Sequence, residues 1–260
     1  TGGAPAERLA ELEAHPGLVA RRDDLTVELC ALLLQAGRPE EALRRLTGRR
    51  FQPWEGGEGQ VLEQHTRARL ALARGLAARG DLAGAGEHLA AALHPPESLG
   101  EARHPLASAS DVLYALGDVC SRMGDEQGAR RRFQAAAASG DFRGMSVRAF
   151  SDMTYWSALA LGRLGRAAER EALLHGLEEH ASGLLASEAR IDYFATSLPT
   201  MLLFEDDLQR RQEVGAHVML AQARLGLGDP GGARRHLAEA LRRDPNHAAA
   251  GDLLLELGPG

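Results

Sequence analysis

Apolar residues recur along this chain at three- and four-residue spacings, in pairs of runs that meet at a glycine, which predicts pairs of amphipathic helices. The clearest pair covers residues 214–246. Its two runs meet at Gly228-Asp229-Pro230 and stop at Asp244-Pro245-Asn246. Ala221, Ala233 and Ala240 stand where two helices must cross closely, and Leu220 and Leu237 fill the space between. Four earlier pairs are predicted at 23–36 with 40–46, 62–79 with 82–93, 108–123 with 126–138, and 151–164 with 167–186. They turn at Gly37, Gly80, Gly124 and Gly165. In the first, Leu25, Leu29, Leu32 and Leu33 share one face. A lone helix at 5–14 reads as the second member of a pair whose first is missing, and 247–257 reads as a closing helix over the last apolar face. Residues 49–61, 97–106, 140–149 and 187–212 carry no helical period and are expected to be irregular. No run alternates with period two, so the expected class is all-α.

The small-residue slots make the pairing specific. Counted from Val214, Ala221, Ala233, Leu237, Ala240 and Pro245 fall where a tetratricopeptide repeat has a small residue, a small residue, a large apolar one, a small residue and a proline, so the chain resembles that helix-turn-helix family. Ala42, then Ala85, Leu89 and Ala92, then Gly117, Ala129, Phe133 and Ala136 repeat the register; Arg170 takes a slot that prefers alanine, and Arg224 one that is usually aromatic. The resemblance implies a right-handed α-solenoid of tetratricopeptide-like helix pairs, a single array over residues 1–260. The turn glycines are spaced by roughly 40 to 60 residues, more than the repeat of about 34, so long inter-repeat loops are expected. The largest excess is 187–212.

Composition narrows the function. Hydrophobic residues are 44% and charged residues 25% of the chain, too polar for a membrane protein, and no apolar run reaches the roughly 18 residues of a spanning helix. A net charge of −6 argues against nucleic acid, since a binder needs a concentrated basic face. The runs Arg130-Arg131-Arg132 and Arg242-Arg243 read as solvated helix faces. Lysine is absent, and Ala, Gly, Leu and Arg dominate, as in a GC-rich bacterial genome. Cys30 and Cys120 lie on separate apolar stripes and read as small buried hydrophobes in a reducing, cytoplasmic setting. The opening residues form no signal peptide and carry no methionine, which suggests a processed chain or a piece of a longer one.

Three irregular strings carry a second resemblance: RRFQPWEGGEGQV, SVRAFSDMTYWSALAL and RIDYFATSLPTMLLFEDDLQRR. They look like the C-terminal repeat portion of large bacterial proteins with an N-terminal β-rich domain of unknown function and sugar-enzyme-like architecture. That resemblance implies a β-rich domain upstream and a carbohydrate context. It brings no catalytic residues.

Candidate chemistry lies on helix starts and loops. Asp111 with Tyr114, and Asp152 with Tyr155, occupy equal positions in two neighbouring first helices. Stacked in a concave groove, they would offer carboxylates and phenols to a peptide backbone or to sugar hydroxyls. The same aspartates, with Ser110 and Ser151, are also placed to cap helix amides. Trp54 and Glu55, with Glu58, stand on the first loop, and His104, Arg148, Asp192 and Tyr193 on later ones. Polar and aromatic loop residues on a rigid scaffold serve binding, or fold back and pack. Gly226-Leu-Gly228-Asp-Pro-Gly231 matches a dinucleotide fingerprint but follows a helix instead of a strand. His175 and His180 lack the spacing of a helical metal pair. The expected function is a non-catalytic scaffold, without cofactor or metal. It would hold a protein or peptide segment, or the parent protein's own β-rich domain. The alternative is an accessory region lending loop residues to a carbohydrate site.

Overall fold

The computed structural model describes residues 3–54, 56–104, 107–138, 141–143, 146–189 and 207–258, with backbone alone at 141–143 and 146–148. In chain order the elements are α1 (Pro5–Ala14), α2 (Pro16–Val19), α3 (Asp23–Gln35), α4 (Pro39–Thr47), α5 (Gln60–Ala78) and α6 (Leu82–Leu93). A 3-10 turn at Glu97–Leu99 precedes α7 (Ser110–Arg122) and α8 (Glu126–Ala138). The strands β1 (Asp141–Arg143) and β2 (Ser146–Arg148) follow, then α9 (Asp152–Arg163), α10 (Ala167–Leu185), α11 (Leu208–Gly226), α12 (Pro230–Arg243) and α13 (Ala248–Leu257). The class is all-α, built of tetratricopeptide-like helix pairs with long connections: α3/α4, α5/α6, α7/α8, α9/α10 and α11/α12.

The chain divides into two compact units, Thr1–Pro105 with Ala115–Ala129, and Leu106–Tyr114 with Arg130–Gly260. In the first, α1 packs on α3, α3 on α4 and α5, α4 on α5, and α5 on α6. Its core joins Leu29, Cys30 and Leu33 of α3 to Ala42 and Leu46 of α4, Phe51 of the following loop, Val61 and Ala68 of α5, and Leu99. Each large side chain buried there contributes about 1.5–3 kcal/mol, the most that apolar transfer allows. Burial also pushes the Cys30 thiol up to about 12, so it stays protonated and inert, as a core hydrophobe.

In the second unit α9 packs on α10 and α11, α10 on α11, α11 on α12, and α12 on α13. The small slots close as the register requires: Ala221, Ala233, Leu237 and Ala240 are all fully buried in one cluster with Val214 and Val218. Arg170, the exception, passes its stem beside Gly162 of α9 and donates to the Gly226 carbonyl at the end of α11. A misfit in the apolar pattern thereby becomes a cap on a neighbouring helix.

Several elements depart from the sequence expectation: α11 starts at Leu208, inside the stretch 187–212 expected to be irregular, and the 3-10 turn at Glu97–Leu99 lies in another such stretch. Residues 140–149, expected to be irregular, contain an antiparallel hairpin that sets Asp141 opposite Arg148 and Phe142 opposite Val147. Helix α2 was not foreseen; a single turn has no period to read. It is fastened by Thr26, whose hydroxyl donates to the Val19 carbonyl at 2.8 Å.

His65 of α5 is fully buried, and the Arg69 guanidinium donates to its Nε2. Burial first, then the charges of Arg69 and Arg103, push its pKa down to about 4. The fold therefore refuses a proton that the unfolded chain accepts below about pH 6.5. Its contribution is fully present above that pH and is lost as pH falls towards 4. The His217–His236 pair, with Nδ1 atoms 3.1 Å apart, is shifted down by burial too and acts in the same sense. The melting temperature should be flat above pH 7 and fall steadily from pH 6.5 to 4.5; a scanning-fluorimetry series that stays flat over that range would contradict this account.

Candidate binding cleft

The loop between α4 and α5 is held open by specific contacts. Phe51, 1% exposed, anchors it: its amide donates to the Ser98 carbonyl at 2.8 Å, and the Arg49 guanidinium lies 5.1 Å from its ring centroid. Arg49 also pairs with Asp23 and donates to the Thr26 hydroxyl at 2.6 Å, and the Gln52 amide donates to Asp23 Oδ2 at 2.8 Å. The start of the loop is thus stitched to α3. Beyond it Trp54 packs half-buried against the core. Gly57 lies so close to the indole that a Cβ there would fall 1.9 Å from Trp Cε2, so only glycine lets the ring lie on the backbone. The far end is tied by Gly59, whose amide donates to Glu101 Oε2 at 2.6 Å.

Between these ties opens a cleft of about 330 Å³ lined by Pro53, Trp54, Glu58 and Glu101. Glu58 is exposed, whereas Glu101 is half-buried. An indole beside two carboxylates suits a guanidinium or ammonium group: the ring attracts the cation through its quadrupole and the carboxylates neutralise it. The set holds no nucleophile and base in contact. Among the described residues no group of three or more His, Cys, Asp or Glu side chains could hold a metal ion. No described helix is long and apolar enough to cross a membrane.

The other candidates are dispersed. Glu55, Asp192 and Tyr193 lie outside the described residues. Arg148 is described by its backbone, in β2, and His104 is an exposed residue past the 3-10 turn. The Asp/Tyr stripe needs correction. Tyr155 is 6% exposed and belongs to the core of the second unit with Ala158, Leu174, Leu177 and Ala223. Burial pushes its phenol pKa up, with Glu256 and Tyr114 adding in the same direction. Tyr114 is half-buried between Phe133 at 5.6 Å and Trp156 at 5.7 Å, and Trp156 meets Tyr155 edge-on at 5.0 Å. The two tyrosines thus meet through Trp156, in packing rather than as a row facing solvent, because large aromatics gain more by meeting one another than by facing water. Asp111 turns back to accept from the Val112 amide at 2.7 Å. At Asp152 the carbonyl accepts from Gln222 at 3.1 Å, while Ser151 and Thr154 form the capping box of α9. Glu101 was missed altogether. It reaches the cleft from a different connection, brought there by the backbone bond of Phe51 to Ser98 and held by the Gly59 amide.

No family model matches the chain. Among solved structures it is similar to the APC/C hetero-tetramer Cut9-Hcn1, at 17% identity and TM-score 0.38, covering 98% of this chain and 40% of that one. It is also similar to YrrB, described as a TPR protein with an unusual peptide-binding site, at 14% identity and TM-score 0.33 over 94% of this chain and 99% of that one. A putative kinesin light chain from Podosopora anserina with nearly identical TPR-like repeats shares 16% identity at TM-score 0.35, over 88% and 95% of the two chains. The chain spans less than half the length of the first of these. With all three TM-scores below 0.5, the assignment to the stacked helix-pair class rests on this chain's own register: glycine turns, closed small slots and sequential packing.

Proposed function

We propose that the chain is a non-catalytic scaffold that holds a segment of a partner protein, and that the Trp54 cleft receives a cationic side chain of that segment. The observation that supports this is the joint placement of the Trp54 indole, Glu58 and Glu101 around one opening on a loop tied at both ends. Pre-organised loops lose little entropy on binding, so even a small site can contribute measurable affinity. The net charge of −6 favours a basic segment. On this reading the segment comes from another protein or from the parent protein's own β-rich domain, and the setting is cytoplasmic.

The test is a titration with an arginine-rich peptide, followed by indole fluorescence in a Trp156→Phe background so that Trp54 alone reports. Saturable quenching is expected, weakened about five- to tenfold in Glu58→Gln, in line with a charge-assisted contact. Loss of a cation–π contact in Trp54→Ala, followed by calorimetry, should weaken binding to a similar extent. No saturation, or binding indifferent to both substitutions, would reject the cleft. Saturation by a member of a glycan panel, with none by the peptide, would favour the carbohydrate reading.

A further inference from the structure

We infer that the Trp54 cleft is selective for a guanidinium over an ammonium group, so that arginine, and not lysine, is the residue it reads. The inference rests on the reading of the cleft as a binding site and narrows its occupant. The walls are fixed in position. Within the loop the Gly57 amide donates to the Trp54 carbonyl and the Gln60 amide to the Gly57 carbonyl, both at 3.1 Å, and Gln60 Nε2 donates to the Gly56 carbonyl at 2.9 Å. Gly56 and Gly59 hold φ at +82° and +79°, which tightens the turns on either side of Gly57 and Glu58. Gly57 backs the indole, and the Gly59 amide holds Glu101 Oε2 at 2.6 Å. The loop's own backbone contacts thus set the ring and the carboxylates before any occupant arrives.

A fixed ring with fixed carboxylates distinguishes cations by shape. A guanidinium is planar and carries five N–H donors around its edge, so it can lie on the indole and still donate, in its own plane, to two carboxylates. Glu101 keeps Oε1 as an acceptor while Oε2 holds Gly59, and Glu58, exposed, brings both oxygens. An ammonium is a compact point charge with no fork to span the two. It also holds its water more strongly than a guanidinium does, so it gives up more on entering a cleft walled by Pro53 and an indole. Charge alone admits either cation; the ring and the paired carboxylates together favour the planar one.

The test compares three peptides of one sequence against the whole chain: the arginine-rich peptide, its counterpart with every arginine replaced by lysine, and a third with citrulline, which keeps the planar shape and loses the charge. The first two carry equal charge, so general attraction to a chain of net charge −6 is the same for both. By calorimetry the arginine peptide should bind about tenfold more tightly than the lysine peptide, and the citrulline peptide should not saturate. The preference should shrink in Glu58→Gln, where the fork has lost an acceptor. Equal affinity for arginine and lysine would overturn the inference and leave the cleft reading intact. Saturation by the citrulline peptide would overturn it too, since the cation would not then be what is read. An undiminished preference in both Glu58→Gln and Trp54→Ala would overturn it by placing the discrimination elsewhere on the chain. Saturation by none of the peptides would reject the cleft reading and the inference with it. If N-acetyl-arginine amide bound as tightly as the arginine peptide, guanidinium selectivity would be upheld and the partner segment rejected.

Discussion

Gly100→Ala is expected to lower the melting temperature by on the order of 10 °C, by loosening the first unit at the point where two connections meet. Two costs add. Gly100 has φ +77°, where an L-residue with a side chain loses about 1–2 kcal/mol. A Cβ there would also stand 2.7 Å from the Phe51 carbonyl oxygen, a backbone atom that cannot swing aside. Overpacking of that kind costs roughly 1–3 kcal/mol more. Gly80→Ala separates the two, because Gly80 has φ +87° but nothing within 4 Å of its Cβ. It should show the conformational cost alone. Equal melting temperatures for the two variants would mean that Phe51 and Gly100 do not touch. Because Phe51 and Glu101 flank this contact, Gly100→Ala should also weaken peptide binding at Trp54, whereas Gly80→Ala should not.

The second large effect is expected at Ala221→Leu, with a cost of about 1–3 kcal/mol from forcing α11 and α12 apart. Ala221 and Ala233 are both fully buried where the helices cross, and neither leaves room for a longer side chain. Gly117→Leu, at the same slot of α7 and also buried, should behave alike. Gly251→Leu should not, because its slot is open. Denaturant unfolding of the three variants would check the register directly: comparable losses in all three would mean that the slot at Gly251 is closed.

The sequence made the helices legible because they are long and periodic. The boundaries of α1, α6 and α8 fall where the pattern places them, and those of the other long helices within a few residues, except that α11 begins at Leu208, six residues ahead of the predicted start and inside a stretch expected to be irregular. The short pieces were not legible. Four residues of α2 and three per strand of the hairpin hold less than one full period of any pattern. At the cleft, Trp54 and Glu58 stood out as polar and aromatic residues on a loop, but Glu101 did not, since its place depends on a contact between distant connections. The Asp/Tyr stripe misled for a different reason. Helical position reports which neighbours a side chain faces, and it does not report how far an aromatic ring can sink between them. Tyr155 sinks almost completely because Ala158, one turn along, leaves it space.

The end of α10 and the start of α11 are stitched to each other. Gln212 donates to the carbonyls of Leu184 and Ser187 at 2.8 and 3.0 Å, and Gln209 accepts from the Ala189 amide at 2.8 Å. Closing a loop whose ends are already fastened grows costlier only with the logarithm of its length, about 0.6 kcal/mol per doubling. The two glutamines therefore do more than the length of chain joining the helices to keep these ends together: replacing both with alanine should lower the melting temperature, which scanning fluorimetry would read. The junction is a clasp: two side-chain amides of one helix grip the last backbone groups of the helix before it.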